Sequence, residues 1–205
     1  MRANSSRDLR AILLSSLRPG TVKWGHALQS ARAVTNDKYE LTFKTDSGTR
    51  TVQTGILVGA DGTFSRVRPL LHAQNPEYSG ITMFELSIPS ERMGTELKRL
   101  VGPGGAMIFG QVSSGAYAGI MPQMNAGGRC KVYADMRVPL SWLDENPLPE
   151  EHKREYVKRL FAGWDERVLA LLDAADEEVV ARRIYQFEPE VRWESALTGV
   201  TVMGE

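Results

Sequence analysis

Apolar positions first recur at helical spacing. Leu9, Ile12, Leu13 and Leu17 fall on one face at intervals of three to four, which predicts an opening helix. Ser5 and Asp8 are spaced like a capping box at its start, and Pro19-Gly20 stops it. A short strand is expected at residues 21–24 and a weaker one at 27–34. Tyr39, Leu41 and Phe43 then alternate with Glu40, Thr42 and Lys44, the pattern of a strand with one face buried. Asp46-Ser47-Gly48 supplies a turn and residues 49–53 return, so residues 27–54 read as an antiparallel meander. The next run, Ile56-Leu57-Val58-Gly59-Ala60-Asp61-Gly62, opens with three large apolar residues in succession. That predicts a strand buried on both faces, as in a parallel sheet. Ser65 can cap a helix beginning near Arg66, with Pro69 in its first turn, where a missing N–H costs little. A strand, a small-residue loop and a helix start place a ligand at the carboxyl edge of a sheet.

The texture changes from about residue 78. Four strands are expected at 80–88, 105–111, 116–122 and 129–138, separated by glycine-rich turns. Gly102-Pro103-Gly104-Gly105 superficially resembles a phosphate loop, but no apolar strand leads into it and no GK[ST] comes after it; it reads as a tight turn. Residues 150–162 form the clearest helix, with Tyr156, Val157, Leu160 and Phe161 as its apolar stripe, extended by Trp164. Asp165 can start a second helix carrying Val168, Leu169, Leu171 and Leu172, and residues 179–187 return as a strand. Gly199-Val200-Thr201-Val202-Met203-Gly204-Glu205 reads as another buried strand arriving at a small-residue loop.

Composition removes several classes of function. The 205 residues carry 25 Lys+Arg against 25 Asp+Glu, so no bulk charge attracts a nucleic acid. The single cysteine, Cys130, excludes an intrachain disulfide framework and any multi-cysteine metal site, and reads as a small buried hydrophobe. His26, His72 and His152 form no HExxH pair, so no metal site is expected; His152 reads as a solvated residue on the charged face of its helix. No G-x-S-x-G elbow is present, and no residue is singled out as catalytic. No apolar run approaches the roughly 18 residues a membrane span needs. The amino-terminal MRANSSRDLR is polar with no apolar signal segment behind it, so a cytoplasmic protein is expected.

Asp61 has two readings. It can form the turn that ends its strand. Alternatively, Gly62 permits close backbone approach by a ligand, Asp61 accepts hydrogen bonds from ribityl or ribose hydroxyls, and the helix start faces a pyrophosphate. Arg66 and Arg68 either add charge there or are simply solvated. Met107, Phe109, Tyr117, Met121 and Tyr133 sit in alternating strands and line either a core or an apolar cavity.

Gly59-Ala60-Asp61-Gly62 together with Ser65-Arg66-Val67-Arg68 resembles the second flavin motif, the "DG" motif, of the para-hydroxybenzoate-hydroxylase-like (class A) FAD monooxygenases. R-D-L-R-A-I-L-L-S-S-L at 7–17, T-V-K-W-G at 21–25 and F-A-G-W-D-E-R-V at 161–168 are similar to its tetracycline-inactivating and fungal secondary-metabolism branch. G-V-T-V-M-G at 199–204 looks like the strand that leads into the third motif, usually G-D-A-A-H. The matches run in family order across nearly the whole chain.

The resemblance implies an α/β + β fold: a partial FAD-binding Rossmann-like domain of glutathione-reductase type, with an inserted substrate domain of antiparallel sheet plus helices. The expected divisions are 1–77 for the FAD-binding part, 78–187 for the substrate part and 188–205 for a return strand. The implied activity is hydroxylation of an aromatic or polyketide-like small molecule, using NAD(P)H and O2 through a flavin C4a-hydroperoxide. Asp61, Gly62, Gly59, Arg7, Gly204 and Glu205 are the implied cofactor contacts, with Met107, Phe109, Tyr117, Met121 and Tyr133 on the substrate wall. Arg7 stands one place after the family's usual arginine, whose position holds Ser6, and Glu205 stands where aspartate is usual. The family's opening strand and G-x-G-x-x-G helix are not in the sequence, so a fragment lacking that unit and the carboxyl-terminal part is expected. The alternative is an inactive remnant that binds a ligand or regulates.

Overall fold

The computed structural model describes residues 6–125, 127–191 and 196–204, with side chains from Leu9 onward. In chain order the elements are α1 (Ser6–Ser15), β1 (Ala27–Thr35), β2 (Lys38–Thr45), β3 (Gly48–Thr54), β4 (Leu57–Gly59) and β5 (Glu77–Ile88). Next come α2 (Thr95–Val101), β6 (Ile108–Gln111), β7 (Tyr117–Met124), β8 (Cys130–Arg137), α3 (Trp142–Glu145), α4 (Lys153–Leu160), α5 (Glu166–Asp173), β9 (Val180–Gln186) and β10 (Val200–Val202). The chain folds into two compact units, one of residues 17–77 and 185–205, the other of residues 1–16 and 78–184.

In the unit built from 17–77 and 185–205, β1, β2 and β3 form the expected antiparallel meander. Tyr39 and Leu41 of β2 point into a small core with Leu57 and Val67, as the alternation requires. The strand expected at 21–24 is a turn instead, with Gly25 at φ +69° and the Trp24 carbonyl bonded to the His26 ring at 2.8 Å. β4 lies parallel to β10, pairing Leu57 with Val200 and Gly59 with Val202. Burial on both faces fails for β4: Leu57 is buried, while Ile56 is 77% and Val58 49% exposed. These two strands form their own two-stranded sheet, and only its Leu57 face meets the core. β10 likewise is only partly covered, with Val200 and Val202 half-buried and Thr201 exposed. The helix expected from Arg66 is a single 3-10 turn at Arg68–Leu70. Ser65 still caps it, its hydroxyl accepting from the Val67 and Arg68 amides at 3.1 and 3.0 Å.

In the unit built from 1–16 and 78–184, five strands order as β6-β7-β8-β5-β9. The sheet's two faces differ. Phe84, Leu86, Ile88, Ile120, Val132 and Met136 point to one face, where Val101 of α2, Val157 of α4 and Leu171 and Leu172 of α5 complete a buried core. Phe161 is fully buried there and meets Trp164 edge-on with ring centres 5.2 Å apart. Trp164 sits on the backbone of Gly110, where a methyl group would come within 3.1 Å of the indole, and its Nε1 donates to the Gln111 carbonyl at 2.8 Å. Asp165 caps α5, as expected, by accepting from the Arg167 amide at 2.9 Å. His152 is exposed but precedes α4 in a left-handed conformation (φ 55°) instead of lying on that helix's face. α2 is an element the apolar pattern does not predict; Gly102 ends it at φ +73°, so the glycine run there is a helix stop and turn. α1 matches expectation in position, but Leu9, Leu13 and Leu17 are 49%, 57% and 44% exposed. Ser5, of the expected capping box, lies outside the described residues. Among the described residues no helix is long and apolar enough to cross a membrane.

Because Phe161 is fully buried, Phe161→Ala should cost about 3–5 kcal/mol. Leu13→Ala, at a position 57% exposed, should stay within about 0.5 kcal/mol. Urea unfolding monitored by tryptophan fluorescence measures both.

Candidate functional site at the carboxyl edge of β4 and β10

Two parallel strands end side by side here, and the residues at their ends make the edge possible. Gly59 is required by packing: a methyl group at this position would lie 2.7 Å from Val67 Cβ and 3.1 Å from Val202 Cγ1. The glycine lets the next turn close over the strand pair, and Met203 N donates to the Gly59 carbonyl at 2.8 Å. Gly62 and Gly204 take φ values of +79° and +102°, the left-handed region open to glycine without strain.

Asp61 organises the loop that leaves β4. Its Oδ2 accepts from the Arg66 amide at 2.7 Å. Burial alone would raise its pKa, but the Ser65 hydroxyl and the amides of Arg66, Asp61 itself and Val67 outweigh that and hold the carboxyl below the ordinary aspartate range. The turn-forming reading of Asp61 thus describes its contacts within the chain.

The two arginines behave differently. Arg66 is exposed and reaches the Gln29 carbonyl at 3.0 Å. Arg68 is only 5% exposed, against the solvated reading. Its Nη1 donates to the Thr63 carbonyl at 2.7 Å, its guanidinium lies 4.9 Å from the centre of the Phe187 ring, and its buried Nε has no hydrogen-bond partner among the described residues.

These groups border a cavity of about 300 Å³ whose lining includes Gly59, Asp61, Gly62, Arg68, Val202 and Gly204. Tyr185 and Phe187 close another side, and Tyr185 meets Phe64 edge-on at 5.0 Å. Sequence reasoning missed Tyr185, Phe187 and Phe64. Their role depends on which residues border the loop in space, which local spacing does not reveal. Arg7 falls in α1 and Glu205 beyond Gly204, and the Arg7 side chain and all of Glu205 lie outside the described residues.

Phe109, Tyr117, Met121 and Tyr133, of the five residues named for a substrate wall, share one face of the five-stranded sheet, and Met107 lies just before β6. Phe109 pairs with Gly119, Tyr117 with Gln111 and Met121 with Tyr133, and every one points away from the helices. Met107, Phe109 and Tyr117 are 68%, 69% and 66% exposed, so the core alternative fails for them; Met121 and Tyr133 are half-buried. Phe109 and Tyr117 border a groove of about 700 Å³.

No family model matches the chain. Against curated proteins it is 28% identical over 183 residues to the chloroplastic zeaxanthin epoxidase of Oryza sativa subsp. japonica, covering 84% of this chain and 25% of the epoxidase. It is 25% identical over 237 residues to the monooxygenase penA of Penicillium thymicola, covering 98% of this chain and 55% of that protein. The chain is thus similar to FAD-dependent monooxygenases along most of its own length. Its fold agrees with that of Klebsiella pneumoniae HpxO, solved with FAD and uric acid, at a TM-score of 0.66 and 23% identity over 98% of this chain and 47% of that one. The monooxygenase fold accounts for the α/β edge at β4 and β10 and for the antiparallel sheet with its helices. The chain spans a quarter of the epoxidase's length and about half of the fungal monooxygenase's.

Gly59→Ala should destabilise this unit by about 1–3 kcal/mol through overpacking, with faster amide hydrogen exchange at Met203, whose bond to Gly59 it strains. Because the folded Asp61 pKa is lowered, its contribution is complete above the ordinary value, about 3.9, and is lost as pH falls through the folded value. Asp61→Asn should therefore flatten the acid limb of the stability–pH curve, measured by urea unfolding at successive pH values.

Proposed function

We propose that this chain carries part of the cofactor and substrate sites of an FAD-dependent monooxygenase that uses NAD(P)H and O2 to hydroxylate an aromatic or polyketide-like small molecule. The single observation behind this reading is the β4–β10 edge, where glycine-bearing loops and a buried arginine border one cavity. Those residues fit the sugar-phosphate arm of a dinucleotide. Gly62 and Gly204 leave backbone accessible to a ligand, Gly59 lets the strand pair close beneath them, and Arg68 holds an unpartnered buried Nε in the same lining. Asp61 keeps acceptor capacity on its carboxylate beyond the bond from Arg66, suited to ribityl hydroxyls. Arg7 and Glu205 join this set through the family resemblance alone.

When bound, FAD supplies the redox chemistry with oxygen that side chains lack. The chain's own residues bind and orient. Arg68 offsets phosphate charge, and Asp61 fixes both its loop and the sugar hydroxyls. Met107, Phe109, Tyr117, Met121 and Tyr133 offer an apolar wall to a ring system and displace water from it. Residues 1–77 and 188–205 belong to the FAD-binding part in this reading, and 78–187 to the substrate part.

Titration of the purified chain with FAD, monitored by flavin fluorescence, tests the proposal. Weak saturable quenching is expected, because only part of the dinucleotide meets preorganised groups. Asp61→Ala and Arg68→Ala should each weaken it by about tenfold, the loss of one charge-assisted hydrogen bond. No quenching at millimolar FAD, or quenching indifferent to both substitutions, overturns the proposed site. Binding without NADPH-dependent oxygen uptake favours a ligand-binding remnant.

A further inference from the structure

The open face of the five-stranded sheet carries two partly buried acids in contrasting states. Glu85 of β5 is paired: Lys131 Nζ lies 2.6 Å from its Oε1 and Arg182 Nε 3.6 Å from its Oε2. The Lys131 bond leads the effects that hold the Glu85 pKa below its ordinary value. Asp135 of β8 has no such partner. Its Oδ1 is shielded from solvent and accepts no hydrogen bond among the described residues. Burial pushes its pKa up, offset only in part by its own backbone amide.

The sequence makes room for this carboxylate. Asp135 pairs with Gly119 of β7, and a methyl group at Gly119 would come within 2.7 Å of Asp135 Oδ1 and 3.3 Å of the Phe109 ring. Carboxylate and ring therefore both fold over a bare stretch of backbone. Asp135 lines the groove of about 700 Å³ together with Phe109, Tyr117 and Ile81. Arg137, two residues along the same strand and so on the same face, lines it too. A groove of this size suits a small molecule, and such sites combine apolar walls with few polar groups. Oδ1 is turned in against Gly119, which leaves the other carboxylate oxygen to meet a ligand, and a carboxylate this short of donors costs stability unless a ligand answers it.

We infer that Asp135 is a specificity-determining residue, accepting a hydrogen bond from a hydroxyl or amino group on the ring system of a ligand packed against Phe109 and Tyr117. That this ligand is the substrate rests on the monooxygenase reading above; the groove and its polar preference do not. A ligand whose ring carries only ethers or alkyl groups leaves the carboxylate unanswered and binds less well.

Naphthol and its methyl ether, titrated into the purified chain by ligand-observed NMR, test the inference. They share a ring system and differ in the donor. Naphthol should bind about tenfold more tightly than the ether, the usual cost of one unanswered buried acceptor. Asp135→Leu should abolish that preference without weakening the ether, and should raise the urea midpoint by removing an uncompensated charge. Equal affinities in the unsubstituted chain, no saturable binding of either probe, a preference that survives Asp135→Leu, or a lowered midpoint each overturns it. FAD binding is read separately. Donor preference without FAD binding keeps the groove and removes the flavoenzyme reading, whereas FAD binding without donor preference does the reverse.

Discussion

The parallel pairing of β4 with β10 joins two stretches far apart in sequence, and it tolerates very little variation. Val67 approaches Gly59 so closely that a single added methyl group would lie 2.7 Å from it. That approach brings the Asp61 loop over the strand ends, where Met203 closes the ladder by bonding the Gly59 carbonyl. Tyr39 reinforces the join from the meander: fully buried, it donates its hydroxyl to the Thr198 carbonyl at 2.5 Å, just before β10 begins. The approach to β10 is thus anchored by a tyrosine, and the closeness of its pairing depends on a glycine. A hydrophobic surplus is not the cause, since Val58 and Thr201 on these strands remain exposed.

The five-stranded sheet obeys another rule. β5 and β8 alternate cleanly, and the residues on one face are almost entirely buried beneath α2, α4 and α5. Burial of that face is the main source of stability in this unit, because each large side chain removed from water contributes about 1.5–3 kcal/mol. The other face leaves apolar surface in water. Met107, Phe109 and Tyr117 remain about two-thirds exposed in the described chain. Folding of this unit alone gives no reason to keep such a cluster exposed.

Much of this was legible in the sequence. Alternation from Tyr39 to Lys44 fixed β2 and its face, and Asp165 marked the start of α5 through its spacing to the apolar stripe. The run Ile56-Leu57-Val58 misled, because three apolar residues in a row signal two buried faces only when neighbouring strands and helices exist to cover them. The helix expected after Ser65 shrank to one turn for a related reason. The capping hydroxyl is present, but Pro69 and the tertiary demand for a buried Arg68 govern the path of the chain beyond it. Arg68 could not be distinguished from Arg66 by pattern, since their difference lies in Phe187 and Thr63, brought close by the fold. Asp135 was invisible for the same cause. Alternation places it on the open face, but its missing partner becomes apparent only when every neighbour is known.

Asp61 and Asp135 show how one side chain serves two purposes. Asp61 stands at the end of a strand, where free backbone amides and a serine hydroxyl converge on it, and those donors outweigh its partial burial. Such a carboxylate stays ionised, holds its loop rigid and presents remaining lone pairs in fixed directions. Asp135 stands mid-strand, where the backbone donors are engaged in the ladder with β5 and β7, and its own amide offsets its burial only in part. Gly119 opens the space for it and offers nothing in return. Secondary structure therefore decides the outcome: a loop at a strand end can satisfy an acid from its own backbone, while a strand interior leaves that task to another side chain or to a ligand. Glu85 on the same face has Lys131 for the purpose, and Asp135 does not.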